Sequence, residues 1–140
     1  MTAPTDLFQA AKTAMARAYA PYSNFSVGAS LRGANGGIYA GCNVENAAYP
    51  QGCCAEASAI SAMVLAGETE IVEACVIGGS ANDDTGQAQS LCTPCGGCRQ
   101  RLREFANDQL NIHICAPSGW RKTFTLGELL PASFGPDNLK

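Results

Sequence analysis

Two short segments carry residue types that bind metals and move protons: Cys54-Ala55-Glu56 and Pro94-Cys95-Gly96-Gly97-Cys98. Each opens a run that reads as a helix. A helix start offers unpaired N–H groups and the positive end of the helix dipole. Both features favour the thiolate, the form of cysteine that ligates metal. Two such starts side by side on a parallel sheet would aim Cys54, Cys95 and Cys98 at one ion. Three thiolates leave one tetrahedral position of a zinc ion open, as a catalytic site requires. Glu56, two residues past Cys54, can enter the same cavity without ligating. A carboxylate there can take a proton from a metal-activated water and deliver it elsewhere.

Plainer readings fit the same residues. Cys92 could join Cys95 and Cys98 in a structural zinc knuckle, and Glu56 could be a solvated first-turn residue favoured by the dipole. Asn43, Glu45 and Asn46 could be turn and capping residues, and Phe25 and Phe134 could be core. Eight cysteines are present. Cys42, Cys75 and Cys115 lie in apolar or β-branched surroundings and are expected to be small buried hydrophobes. Cys53, Cys54, Cys92, Cys95 and Cys98 cluster near turns and helix starts. His113, in an apolar strand, is expected to be structural, and Trp120 to cover a core edge. Arg99, Arg101 and Arg103 read as a solvated helix face, with Arg99 the one placed to turn inward.

The elements that must position these groups follow from periodicity. Leu7, Phe8, Ala11, Ala14, Met15, Ala18 and Tyr19 fall at helical spacing over Asp6–Tyr19, with Thr5 or Asp6 as cap and Pro21 as stop. Ser26–Arg32 alternates as a strand, the turn at 33–37 is glycine-rich, and Ile38–Cys42 returns as a hairpin partner. A helix is predicted over Cys54–Ala66, with Gly67 as its C-terminal stop. Val72–Gly78 reads as a strand, Asn82–Gln89 as a polar loop, Gly96–Ala106 as a helix and Leu110–Cys115 as a strand. Arg121–Thr125 is expected to be a last strand and Leu126–Leu130 a short helix. The order α-β-β-α-β-α-β-β-α implies a parallel centre with an antiparallel hairpin at one edge. The expected fold class is α/β, a three-layer α/β/α sandwich around a mixed five-stranded sheet.

Bulk properties narrow the classes. A chain of 140 residues suits one domain, residues 1–140. A net charge of −3 with only nine Lys and Arg argues against a nucleic-acid partner. The opening Met1-Thr2-Ala3-Pro4-Thr5-Asp6 lacks a basic, apolar leader pattern. No segment is long and apolar enough to span a bilayer. The expectation is a cytoplasmic protein with reduced thiols and no membrane partner, not a secreted disulfide framework.

The two cysteine segments match the zinc deaminase pattern, with Cys replacing the first His. The sequence resembles the small homotetrameric cytidine deaminases over nearly its whole length. The resemblance is carried by Ala20-Pro21-Tyr22-Ser23-Asn24-Phe25-Ser26-Val27-Gly28-Ala29, by Gly41-Cys42-Asn43-Val44-Glu45-Asn46-Ala47, by the two cysteine segments with Arg99-Gln100, and by Leu129-Leu130-Pro131-Ala132-Ser133-Phe134.

It implies one zinc per chain on Cys54, Cys95 and Cys98, with Glu56 as proton carrier. Asn43 and Glu45 would bind the ribose hydroxyls, Phe25 would pack on the nucleoside, and Ala55 would belong to the substrate-binding set. Ala47, Tyr49 and Phe134 would reach into a neighbouring subunit's site, which makes a homotetramer the expected assembly. The implied reaction is hydrolytic deamination of free cytidine and 2′-deoxycytidine in pyrimidine salvage, by a zinc-bound hydroxide with a glutamate proton shuttle. Backbone carbonyls near Thr93 and Pro94 would hold the amino group. The polynucleotide-editing branch has His as first ligand and a more basic surface, and neither is present. A deaminase of a related cytosine nucleoside analogue, or a non-catalytic structural zinc module, remain as alternatives.

One departure stands out. Many relatives carry Arg directly after Cys-Ala-Glu, where this chain has Ala57. Zinc on three thiolates has a net charge near −1. The offset is expected from the helix dipoles, from Arg99 or from another donor beside the sulfurs. Cys53 has no assigned role.

Overall fold

The computed structural model describes residues 1–80 and 91–140; the predicted polar loop Asn82–Gln89 lies outside the described residues. Helix α1 (Thr5–Met15) leads into strands β1 (Phe25–Gly33) and β2 (Ile38–Cys42), then α2 (Ala55–Leu65) and β3 (Ile71–Ser80). Helix α3 (Gly96–Phe105), β4 (Asn111–Ala116), β5 (Gly119–Thr125) and α4 (Leu126–Leu129) follow, with 3-10 turns at Tyr49–Gln51 and Pro136–Leu139. The sheet order is β2-β1-β3-β4-β5. Only β3 and β4 run parallel among the described strands, joined across α3; the other pairs are antiparallel.

Period-two alternation explains the three layers. Ala29 and Leu31 of β1, Ala74 and Val76 of β3, and Ile112 and Ile114 of β4 face one side. There they meet Ala55, Ala59, Ile60 and Met63 of α2, Leu102 of α3 and Leu126 of α4. Cys75, Ile77 and Cys115 face the other side and meet Leu7 and Ala11 of α1. Two glycines set how close the helices come. A Cβ on Gly28 would lie 2.0 Å from the Ala11 carbonyl, and one on Gly41 would lie 2.4 Å from the Ala59 nitrogen. Gly41 therefore lets the first turns of α2 rest on β2, which fixes where Cys54 stands.

Helix α1 stops earlier than periodicity predicts. Its last residue is Met15, not Tyr19. The Tyr19 N–H instead donates to the Asn43 carbonyl at 3.0 Å, and the Glu45 N–H donates to the Tyr19 carbonyl at 2.8 Å. This non-local bridge takes the backbone out of the helix well before Pro21. Neither Thr5 nor Asp6 caps α1: Pro4 holds the cap position without a side-chain bond. Asp6 is drawn instead into an ion pair with Arg32 at 2.8 Å. Cys42 is half-buried rather than core, because it ends the edge strand β2. Cys75 and Cys115 are buried as expected.

His113 is structural: it is buried, with Nε2 2.6 Å from Glu73 Oε2 and Nδ1 2.8 Å from Thr123 Oγ1. Trp120 is partly exposed, and its indole N–H donates to the same Thr123 oxygen. No helix among the described residues is long and apolar enough to cross a membrane.

Candidate metal centre and its cavity

Cys54 is the N-cap of α2 and Cys95 the N-cap of α3, both with extended backbone, and Cys98 lies in the first turn of α3. The Cys54 carbonyl accepts from the Ser58 N–H at 3.1 Å, and the Cys95 carbonyl from the Arg99 N–H at 2.9 Å. The Cys54 side chain makes no cap bond to α2, so its thiol is free to turn outward, whereas the Cys95 sulfur faces the Cys98 N–H of the first turn of α3. The three Sγ atoms lie within 4.8 Å of one another, and Cys54 and Cys95 are 3.9 Å apart. Tetrahedral Zn–S bonds of about 2.3 Å place sulfurs about 3.8 Å apart. The donor set therefore fits zinc and leaves its fourth position open. Among the described residues, Cys92 and Cys53 fall outside this group. That removes the structural knuckle in which Cys92 would have been a further ligand.

Electrostatics differ across the three thiols. Burial pushes Cys98 up, reinforced by the Glu56 charge and the neighbouring sulfurs. Burial also raises Cys54, together with the charge of Cys95. Burial opposes the thiolate of Cys95 too, but the Cys98 N–H and the adjacent thiols outweigh it and bring Cys95 below its ordinary value. Metal binding completes deprotonation by displacing the remaining protons. Cys92 is held neutral, pushed up to about 12 by burial and the Glu56 charge.

Glu56 is only 4% exposed. Burial raises its carboxyl above the ordinary value, and Cys98 and the Arg101 charge pull partly the other way. It lines a cavity of roughly 390 Å³ with Cys54, Cys95, Phe25, Asn43, Glu45 and Ala55. A buried carboxyl at a cavity wall, with its protonated form favoured by burial, suits proton transfer.

The other expected site residues divide. Phe25, Asn43, Glu45, Tyr49 and Ala55 line this cavity. Asn43 also spans the entry of β1: its Oδ1 accepts from the Val27 N–H at 2.8 Å and its Nδ2 donates to the Phe25 carbonyl at 2.9 Å. Glu45 accepts from the Tyr22 and Ser23 N–H groups and from the Ser23 hydroxyl. The turn-and-cap reading of Asn43 and Glu45 thus describes real bonds, made by side chains that also face the cavity. Ala47 and Phe134 are exposed and do not line it, and Tyr49 stands on its rim, 76% exposed. Thr93 lines the cavity, whereas Pro94 is fully buried and its carbonyl accepts from Arg99 Nε at 2.7 Å.

Arg99, one of the three sources expected to offset the thiolate charge, is committed elsewhere. Its other nitrogens donate to the Leu129 carbonyl at 2.7 Å and to Thr93 Oγ1 at 3.2 Å. Arg101, read from the sequence as solvated, reaches the metal group instead: its Nη1 is 3.7 Å from Cys98 Sγ. The signal for it was the i, i+3 spacing from Cys98, which puts both side chains on one helix face.

Residues 1–114 match the family described as "Cytidine and deoxycytidylate deaminase zinc-binding region". The chain is 36% identical over 133 residues to a cytidine deaminase of Sporosarcina psychrophila, covering 95% of this chain and 92% of that one. It is 37% identical over 130 residues to a cytidine deaminase of Mycobacterium tuberculosis, covering 92% and 87%. Its structure superposes on a crystal structure of cytidine deaminase from Burkholderia pseudomallei with a TM-score of 0.82, at 36% identity, over 94% and 99% of the two chains.

Proposed function

The chain belongs to the cytidine and deoxycytidylate deaminase zinc-binding family, and from that premise we propose that it hydrolyses free cytidine and 2′-deoxycytidine to the uracil nucleosides and ammonia. The observation that carries this reading is a cluster of three thiols beside a cavity that two of them, Cys54 and Cys95, line together with the buried Glu56. A structural zinc module has no use for a buried Glu56 facing an open volume.

Bound by Cys54, Cys95 and Cys98, zinc supplies Lewis-acid activation of water. Glu56 does the proton work. Its carboxylate accepts a proton from the attacking water and passes it to ring N3, which makes C4 the electrophile. It then helps protonate the amino group, so that ammonia leaves and the C4 carbonyl forms. Phe25 packs on the nucleoside. Asn43 and Glu45, fixed by the bonds described above, turn their remaining acceptor and donor capacity to the ribose hydroxyls. A site lined by these residues takes a free nucleoside and has no basic track for a polynucleotide.

The whole chain acts as one domain, and we infer pyrimidine salvage in the cytoplasm, where thiols stay reduced. The exposure of Tyr49 and of Phe134, the latter at 58%, supports a homotetramer in which Ala47, Tyr49 and Phe134 complete a neighbour's site. Sedimentation showing a fully active monomer would rule out that sharing.

The test of function is direct. Purified protein carrying one zinc per chain is mixed with cytidine or 2′-deoxycytidine, and ultraviolet absorbance and ammonia are followed. Conversion to uridine or 2′-deoxyuridine is expected; absence of turnover with either nucleoside refutes the assignment.

A further inference from the structure

A zinc ion on three thiolates carries about one excess negative charge, in a pocket that also holds the Glu56 carboxyl. Such a site needs a nearby cation or oriented donors. The starts of α2 and α3 supply dipoles, but Ala57 supplies no charge. Two arginines of α3 are close enough to matter. Arg99 is committed to the Pro94 and Leu129 carbonyls and to Thr93 Oγ1, so it braces the loop before α3 and the chain after α4. Arg101 is the one whose guanidinium meets a sulfur, Nη1 to Cys98 Sγ at 3.7 Å. Gly97 gives it room: a Cβ there would lie 3.1 Å from the same nitrogen. The guanidinium thus folds back across the first turn of its own helix.

We infer that Arg101 is the positioning residue of the metal centre, holding the Cys98 sulfur and offsetting the charge of the three-thiolate set in place of a cation at position 57. The three Sγ atoms lie within 4.8 Å of one another, so a guanidinium held against Cys98 stands close to the whole set. An Arg suits the task because its charge is permanent and its planar donors can keep a sulfur in place while the rest stay hydrated.

This inference rests on the reading of Cys54, Cys95 and Cys98 as zinc ligands, and the experiment separates the two. The zinc affinity of the full chain is measured by competition with a chromophoric chelator for the wild type, Arg101→Gln, Arg101→Lys and Lys122→Gln. The last removes an equal charge from β5. Arg101→Gln is expected to bind zinc about 10- to 100-fold more weakly. Arg101→Lys should recover part of that loss, and Lys122→Gln should match the wild type. Melting of the metal-free Arg101→Gln chain should stay within ~2 °C of wild type, since the side chain is exposed. Equal zinc affinity in wild type and Arg101→Gln overturns the role of Arg101 alone. An equal loss in Lys122→Gln reduces it to net charge and overturns the positioning claim. A wild-type chain that takes up no zinc overturns the ligand assignment and this inference together.

Discussion

Cys54 and Cys95 bring their sulfurs to 3.9 Å at the starts of α2 and α3, and Cys75 and Cys115 bring theirs to 3.7 Å between β3 and β4. Residue type and spacing are nearly the same. The surroundings are opposite. The first pair stands where unpaired helix N–H groups converge, next to Cys98, a cavity and an arginine. The second pair is buried against Leu7, Ala11 and Ile77 under α1, inside strands rather than at helix caps, and does not line the cavity. Its mutual hydrogen bond and burial drive the Cys75 thiol far up, so it stays a neutral thiol. A close pair of cysteines is thus part of a candidate metal centre on one face of the sheet and a piece of core on the other. Position relative to helix ends decides which.

The sharpest way to break this contrast is to remove one sulfur from each face. Cys98→Ala should abolish zinc binding and take turnover below detection, because two thiolates do not hold a catalytic zinc. Zinc content and initial rate on cytidine check it together. A Cys98→Ala chain that keeps one zinc and works would end the distinction between the two faces. Glu56→Gln comes next in size. It should keep zinc and lower kcat about 10²- to 10⁴-fold, the usual range for a lost acid–base group. Full activity in that variant would leave the cavity without its proton carrier.

Glu45 offers a smaller, pH-based test. The Ser23 hydroxyl and the Tyr22 and Ser23 N–H groups hold its carboxyl below the ordinary carboxylate value. A depressed value means that the charged form, the one proposed to accept from the ribose, persists as pH falls. KM for cytidine should therefore stay level while pH drops through the ordinary Glu range, near 4.3, and rise only below it. The rise is the sign of a carboxylate lost by protonation. Glu45→Gln should raise KM about tenfold at neutral pH, the scale of one charged hydrogen bond. Steady-state kinetics across pH measure both. A KM that already climbs well above the ordinary Glu range would contradict the assigned contact.

Local patterns made most of this legible. Alternation at Ala29–Leu31 and Ala74–Val76, the glycine turn at 33–37 and the helix starts at Cys54 and Cys95 are properties of short windows, and each falls where the sequence predicts. The end of α1 is different. It is set by Tyr19 pairing with Asn43 and Glu45, residues some two dozen places on, which a helical period cannot register. Asn43 and Glu45 read either as turn residues or as binders, because each does a structural job with some polar atoms and faces the cavity as well. Arg101 was hidden for a related reason. A run of Arg at alternate positions looks like a wet helix face, and only the folded first turn shows that one member bends back onto Cys98.

The smallest effect belongs to the face that should do nothing chemical. Cys75→Ala removes one sulfur from the packing between β3, β4 and α1. The sulfur is about the size of a methyl group or slightly larger, so the loss of contact and the small void should cost about 1 kcal/mol. Its partner Cys115 loses only a weak thiol hydrogen bond, which adds little. Denaturant unfolding should show a lower midpoint with an unchanged slope, since the exposed surface on unfolding is the same. Zinc content and kcat should match the wild type, because the sheet stands between Cys75 and the metal group. If Cys75→Ala instead loses zinc while remaining folded, the two faces communicate through the sheet, and the separation of core cysteines from ligand cysteines fails at its strongest point.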